Sequence, residues 1–209
     1  MLERMGVEGA AFDAIGDRYE KCFVERDEQE RAGAWVIERL PRGGRVLDLG
    51  CGSGVPTAAQ FAAAGFEVVG VDESPRMVEL ARQKVPQARF VTADVREVPA
   101  ELGEFDAAVA FFALLMVSRS EIGEVLAAVR RRLRGPRLVA LSMVYGDFDL
   151  FPISFLGVPV RVTALPTDQL RDVVVEAGFE VRRVWEARAE VEPGRIERQV
   201  FLCAQARDD

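Results

Sequence analysis

Histidine is absent from the 209-residue chain, and only three cysteines occur, Cys22, Cys51 and Cys203, far apart from one another. Without histidine there is no Ser/His/Asp or Cys/His relay, and nearly every zinc site is excluded, so no metal is expected. An odd number of scattered cysteines suggests no disulfide framework, and the opening MLERMGVEGA lacks the apolar core of a signal peptide. A reducing, cytoplasmic setting is therefore expected. Positive charge is also in deficit: 27 Lys+Arg against 34 Asp+Glu leave a formal charge of -7. No chain-wide basic field exists to hold nucleic acid, which is not expected as a partner. The longest apolar run, residues 107–117, falls well short of the roughly 20 residues needed to cross a bilayer, so no membrane partner is expected.

What remains is a composition of 49% hydrophobic and 29% charged residues, with no internal repeat, low-complexity tract or Ser/Gly linker. That balance suits one ordinary core, and a single domain over residues 1–209 is expected. Residues 12–40 carry Ile15, Tyr19, Phe23, Trp35, Val36 and Leu40 at roughly helical spacing, ahead of Pro41 and the Gly43-Gly44 pair. From Arg45 the pattern changes to short apolar runs at 46–49, 66–71, 88–92, 105–112, 137–144, 179–185 and 199–204, alternating with helical stretches. Ser74-Pro75 offers an N-cap with proline at the first helical position, and Ser118 with Glu121 has the form of a capping box. Thr167 is expected to cap a last helix that Gly178 closes. Strand and helix alternate and the first five strands are largely apolar, which predicts a parallel sheet covered on both faces. The last two runs have only the polar segment around Glu192-Pro193-Gly194 between them, too short for a crossover, so they should pair antiparallel. The expected fold class is thus α/β, a Rossmann-like three-layer sandwich with a mostly parallel seven-stranded sheet and a C-terminal antiparallel hairpin.

The most informative segment is Asp48-Leu49-Gly50-Cys51-Gly52-Ser53-Gly54, an apolar strand running into a glycine-rich turn and then a helix near Pro56. Glycines at such a turn let backbone approach a ligand, and the helix N-terminus offers free N–H groups. The spacing is G-x-G-x-G. A dinucleotide fingerprint would need a glycine where Val55 stands, and a Walker A loop would need Gly-Lys-Ser/Thr. Asp72 lies 18 residues after Gly54 at the end of the second run, where α/β sheets bind ligands and a carboxylate can accept from two ribose hydroxyls.

The glycine-rich segment resembles the first motif of the class I S-adenosylmethionine-dependent methyltransferases. Asp72 after the second strand, Asp94 after the third and Phe105-Asp106 at the fourth agree in order and spacing. The resemblance covers about residues 19–141 and more loosely the remainder. It implies S-adenosylmethionine as cofactor, with S-adenosylhomocysteine as product. The turn from Gly50 through Cys51 and Gly52 would hold the methionine part, and Asp48 would orient its amino group. Asp72 and Glu73 would face the ribose, and Asp94 would accept from the adenine amino group; Asp94-Val95-Arg96-Glu97 is equally a capping box that starts a helix. Met77 and Val95 would flank adenine, or else belong to the core. Tyr19 and Phe111 complete the cofactor set that the resemblance implies.

On the acceptor side, Phe112, Met116, Tyr145, Phe155 and Arg161 are the candidate substrate-binding residues, Arg161 for an anionic group. Many small-molecule members carry a histidine near the end of the fourth strand; Leu114-Leu115-Met116-Val117-Ser118 stands there instead, so no catalytic residue is assigned. Residues 145–166 show no helical or alternating period and are read as an irregular insert, either a substrate-covering lid or a packing flap. The N-terminal helices within residues 1–40 are expected to cover the active site. Arg130, Arg131, Arg132, Arg134 and Arg137 are read as a solvated helix end that complements the macrodipole. Together these features imply methyl transfer to a small organic acceptor, natural-product-like or quinone-like, by a monomer or homodimer. The alternatives are a catalytically inactive cofactor-binding partner or regulatory protein of the same fold and, disfavoured by Val55, a nicotinamide oxidoreductase.

Overall fold

The computed structural model describes residues 7–16, 18, 26–192 and 194–208. Tyr19, Cys22 and Phe23 lie outside the described residues. Two helices, α1 (Val7–Ile15) and α2 (Asp27–Ile37), precede β1 (Arg45–Leu49), α3 (Thr57–Ala63), β2 (Glu67–Asp72), α4 (Pro75–Lys84) and β3 (Arg89–Thr92). Then follow β4 (Phe105–Phe111), α5 (Arg119–Arg130), β5 (Leu133–Val144), β6 (Phe148–Phe155), β7 (Val158–Ala164), α6 (Thr167–Glu176), β8 (Phe179–Glu192) and β9 (Arg195–Ala206). The main sheet has seven strands in the order β3-β2-β1-β4-β5-β9-β8. β1 to β5 run parallel, and β9 pairs antiparallel with both β5 and β8.

Alternation within each strand explains why the early strands read as continuous apolar runs. Val46 and Val68 enter one core layer with Trp35, Ala58 and Phe61 from α2 and α3. Their neighbours Leu47 and Val69 enter the other with Ile122, Leu126 and Leu170 from α5 and α6. Both faces of the sheet are buried, the requirement for a parallel sheet. Burying a side chain such as Phe61, fully inaccessible here, stabilises by about 1.5–3 kcal/mol, so these two layers carry much of the fold.

The helix starts follow their sequence signals with one exception. Ser74 caps α4 by accepting from Met77 N at 3.1 Å, with Pro75 at the first position. Ser118 and Glu121 form a reciprocal capping box on α5. Thr167, expected as a cap, is instead the first helical residue after Pro166, and its hydroxyl donates to Glu186 across to β8. Gly178 follows α6 in the left-handed conformation, φ 93°.

Three expectations are corrected. Residues 145–166 are a regular two-stranded sheet, β6 against β7. Leu150, at φ 46°, adds a bulge that breaks the alternation, and the Leu156-Gly157 turn has φ 51° and 78°. Two positive φ angles make the primed turn of a tight hairpin, but leucine in its first position hid the usual Asn-Gly signal. Second, β8 and β9 extend to Glu192 and from Arg195, well beyond the runs at 179–185 and 199–204, because their charged ends form a ribbon overhanging the sheet. Third, of the five arginines read as a solvated helix end, Arg131 and Arg134 are exposed, but Arg130 and Arg132 are structural fasteners. Arg132 lies 5.6 Å over the Phe105 ring and donates to the carbonyls of Val98, Pro99 and Gly103 at 3.0, 2.9 and 2.6 Å. Arg130 donates to Arg207 O at 3.0 Å. Guanidinium groups with several fixed donors satisfy loop carbonyls that helix and sheet leave unpaired.

Candidate functional site

Strand order reverses between β1 and β4, and the crevice above their carboxyl ends is the place where open α/β sheets bind ligands. Gly50 and Gly52 follow β1 with φ 63° and 52°. A Cβ on Gly50 would lie 2.5 Å from Ala113 Cβ, whereas one on Gly52 would meet nothing within 4 Å. Gly50 is thus required by packing, while Gly52 presents open backbone to the cleft.

Asp72, at the end of β2, braces this turn: Oδ2 accepts from Gly52 N at 2.8 Å and Oδ1 from Ser74 N at 2.9 Å. Burial raises its pKa, those two N–H groups pull it back in part, and the Asp13 charge adds to the rise. Asp48 is 2% exposed, and burial, with Asp72 nearby, lifts its carboxyl well above the ordinary range. Asp48 Oδ2 has no hydrogen-bond partner among the described residues. A buried, unsatisfied carboxylate oxygen next to a second raised acid is costly unless a ligand brings donors and positive charge.

The cleft is lined by Gly50, Gly52, Asp72, Glu73 and Met77 on the β1–β2 side, and by Asp94, Val95, Phe111, Phe112 and Met116 on the other. All ten are among the expected site residues. Gly9 and Phe12 of α1 lie against the same cleft, and Asp13 of α1 accepts from Ser74 Oγ and from Arg76 N. Asp94 starts a turn and not a helix. Its Oδ1 accepts from Arg96 N at 2.8 Å, and the Arg96 guanidinium contacts both oxygens at 2.6–2.9 Å. Arg96, which also lines the cleft, satisfies the acid that a helix N-terminus was expected to satisfy.

Besides Asp48, buried within β1, and Phe155, which lines a second cavity, three further expected residues do not line the cleft. Cys51 is buried in the core layer beneath Gly70, where a Cβ would approach its own Cβ to 2.9 Å. Burial, with Asp72 and Asp48 nearby, raises the Cys51 thiol, and burial pushes Cys203 up to about 12, so neither is reactive. Tyr145 packs under the Arg198 guanidinium, 3.7 Å from its ring centroid, and outside the cavities described here. Arg161 is exposed on the face of β7 opposite Val160 and Val162, as strand alternation demands.

A second, apolar cavity of about 160 Å³ lies between the β6–β7 hairpin and the end of β4, walled by Phe148, Ile153, Phe155, Val160 and Val162. Phe12, Phe112 and Met116 line both this cavity and the cleft. Phe112 holds φ 55°, a left-handed conformation that costs a non-glycine residue about 1–3 kcal/mol. Its N–H donates to Ser142 O and Oγ, each at 3.1 Å, and its ring meets Phe201 edge-on at 5.8 Å. These contacts turn the aromatic ring to the junction. Sequence reasoning missed the hairpin wall apart from Phe155, since burial of its alternate residues follows only from β-pairing.

Residues 46–135 match a family model described as a methyltransferase domain. Demethylmenaquinone methyltransferase of Thermus thermophilus is 32% identical over 181 residues, covering 74% of this chain and 81% of the relative. Magnesium-protoporphyrin O-methyltransferase of Rhodobacter capsulatus is 35% identical over 115 residues, covering 51% of this chain and 50% of the relative. The chain spans about half the length of the curated relatives that it matches at 35% identity. In fold, it is similar to the crystal structure of Burkholderia thailandensis 1,6-didemethyltoxoflavin-N1-methyltransferase with bound 1,6-didemethyltoxoflavin and S-adenosylhomocysteine. That likeness has a TM-score of 0.75 at 22% identity, over 99% of this chain and 90% of that chain. The order of the sheet, the left-handed glycines after β1 and these relatives lead to one conclusion: the chain belongs to the class I S-adenosylmethionine-dependent methyltransferases, with S-adenosylmethionine as its cofactor.

Proposed function

We propose that this methyltransferase methylates a small acceptor, about one ring in size, that sits in the cavity beneath the β6–β7 hairpin. The observation that carries this reading is the shared wall: Phe112 and Met116 line both the cofactor cleft and the apolar cavity. S-adenosylmethionine supplies an electrophilic methyl group on a sulfonium. Asp48 and Asp72, buried and raised, favour a cationic ligand with donors. Asp48 takes the amino group, and Asp72 with Glu73 takes the ribose hydroxyls on its remaining lone pairs. Gly50 and Gly52 bring backbone close to the methionine part, and Met77 and Val95 flank the adenine. Asp94, already engaged by Arg96, keeps lone-pair capacity for the adenine amino group. Phe111 and Phe112 exclude water from the junction, and α1 and the hairpin cover it. Aligning donor and acceptor in a dry site contributes about 7–11 kcal/mol in favourable cases, so transfer does not require a histidine.

The relatives act, by name, on magnesium-protoporphyrin and demethylmenaquinone. A cavity of about 160 Å³ supports a smaller acceptor, since roughly 150 Å³ of apolar space accommodates benzene. The test is calorimetric titration of single-ring aromatics, phenol and anisole, into protein loaded with S-adenosylhomocysteine. Val160→Trp, which fills the cavity from β7, should abolish ring binding and leave S-adenosylhomocysteine affinity unchanged. Undiminished ring binding by that variant would place the acceptor elsewhere.

A further inference from the structure

Helix α1 touches both the strand-end cleft and the apolar cavity, because Phe12 lines each of them. The helix is nine residues long, shorter than the roughly 12–15 that hold an isolated helix in water, so its place depends on what it packs against. It lies against α4 and β7, with Ala11 and Ile15 buried.

Gly9 and Asp13, one turn apart, face the start of α4. A Cβ on Gly9 would come within 3.0 Å of Glu73 O, so the helix approaches the end of β2 through a glycine. Asp13 Oδ1 accepts from Ser74 Oγ, and from Arg76 N at 3.1 Å. Ser74 in turn donates its N–H to Asp72 Oδ1, and Asp72 Oδ2 accepts from Gly52 N. A chain of three hydrogen bonds therefore runs from α1 through Ser74 and Asp72 to the glycine turn. Just beyond the helix, Arg18 Nη1 donates to Leu156 O at 3.1 Å, in the turn of the hairpin that roofs the apolar cavity. Its Nη2 donates to Ala14 O at 2.9 Å, tying the last turn of α1 to the same guanidinium.

Resting on the acceptor reading above, we propose that α1 couples the two sites, with Asp13 and Arg18 as its positioning residues. Neither residue lines the cleft or the apolar cavity, so both act through the helix. Docked, α1 holds the Ser74–Asp72–Gly52 chain in the geometry that receives the cofactor and sets Phe12 as a wall of the cavity. Each ligand stabilises the docked position that the other needs, so the two bind with positive cooperativity, reciprocal in size. Apparent affinity falls in proportion to the fraction of molecules with the helix docked.

The experiment is calorimetric titration of S-adenosylhomocysteine into the full chain, with and without saturating phenol, for the wild type, Asp13→Ala, Asp13→Asn and Arg18→Ala. Asp13→Ala should bind S-adenosylhomocysteine about tenfold more weakly, the size expected for losing a hydrogen bond to a carboxylate. Asp13→Asn keeps an acceptor for Ser74 and Arg76 and should stay within about threefold of the wild type. Arg18→Ala should weaken S-adenosylhomocysteine about threefold, although Arg18 is fastened to the hairpin. Phenol should tighten S-adenosylhomocysteine binding to the wild type about fivefold, and by no more than about twofold in either alanine variant. Should Asp13→Ala not fold, Arg18→Ala carries the same test. Wild-type S-adenosylhomocysteine affinity in Arg18→Ala overturns the coupling, as does phenol tightening that persists in that variant. Phenol that binds the wild type without changing S-adenosylhomocysteine affinity also overturns it and leaves the cavity reading standing. If the wild type binds no ring while the variants lose S-adenosylhomocysteine affinity as expected, the cavity reading falls and the coupling of hairpin to cleft through α1 stands.

Discussion

The cleft at the strand ends and the apolar cavity beneath the hairpin meet at Phe112 but are built by different means. The cleft is made mainly from strand-end turns within residues 48–96, shaped by a short-range contact such as Arg96 to Asp94 and by a bond between neighbouring strand ends, Gly52 N to Asp72. The cavity takes its walls from α1, the end of β4, the β6–β7 hairpin and the β8–β9 ribbon, so that Phe12 and Glu197 line one space. On the ligand assignment proposed above, a charged, demanding ligand is met by turns at neighbouring strand ends, whereas an apolar acceptor is met by surfaces that exist only after distant strands have paired.

The sharpest way to break the contrast is at the turn. Gly52→Val would force a β-branched residue to φ 52° in a space that is open in the unliganded fold. The strain should cost no more than a few kcal/mol, so the protein should still fold. S-adenosylhomocysteine affinity should nevertheless fall by about a hundredfold or more, because side-chain bulk then stands where backbone must approach the ligand. Unchanged affinity by calorimetry would make this a structural turn only.

A smaller effect is expected from Asp48→Asn, which separates the demands of the cleft on stability from those on binding. Asp48 has a raised pKa in the folded protein, chiefly through burial. Its contribution to stability is therefore fully present below the ordinary carboxylate pKa of about 3.9 and is lost as pH rises through the raised value. The unliganded wild type should melt at progressively lower temperature as pH rises across that window, and the asparagine variant should show a flatter profile. At neutral pH the variant should be more stable by about 1 kcal/mol, yet bind S-adenosylhomocysteine about tenfold more weakly. A variant that is both less stable and equally competent to bind would reverse the assignment.

The smallest effect tests the cavity side. Arg161→Ala removes an exposed side chain on the outer face of β7, and binding of S-adenosylhomocysteine and of phenol should change by no more than about twofold, as for most surface substitutions. A large loss of phenol affinity would return Arg161 to the acceptor site.

How far the sequence could be read follows the same division. Ser74-Pro75 and Ser118 with Glu121 specified their helix starts because a cap needs only neighbours within one turn. Gly50, Gly52 and Asp72 were legible as lining the cleft because spacing at a strand end fixes where the following turn runs, whereas Asp48 sits buried within β1. Of the two roles open to Asp94, the helix cap failed because Arg96, two residues on, competes for the same carboxylate with a charge-assisted bidentate contact. The hairpin was misread because Leu150 and Leu156 adopt positive φ, which their residue type does not advertise.

By itself, the sequence determined the class of fold, the glycine turn and the placing of Asp72 and Asp94 at strand ends, since hydrophobic periodicity and local backbone preference act over a few residues. Only the tertiary structure decided which side of β7 Arg161 occupies, that Tyr145 packs under Arg198, and that Glu197 and Phe112 line one cavity. The physical reason is register: a strand presents alternate side chains to opposite faces, and which set is turned inward depends on its partner strand and not on its own residues.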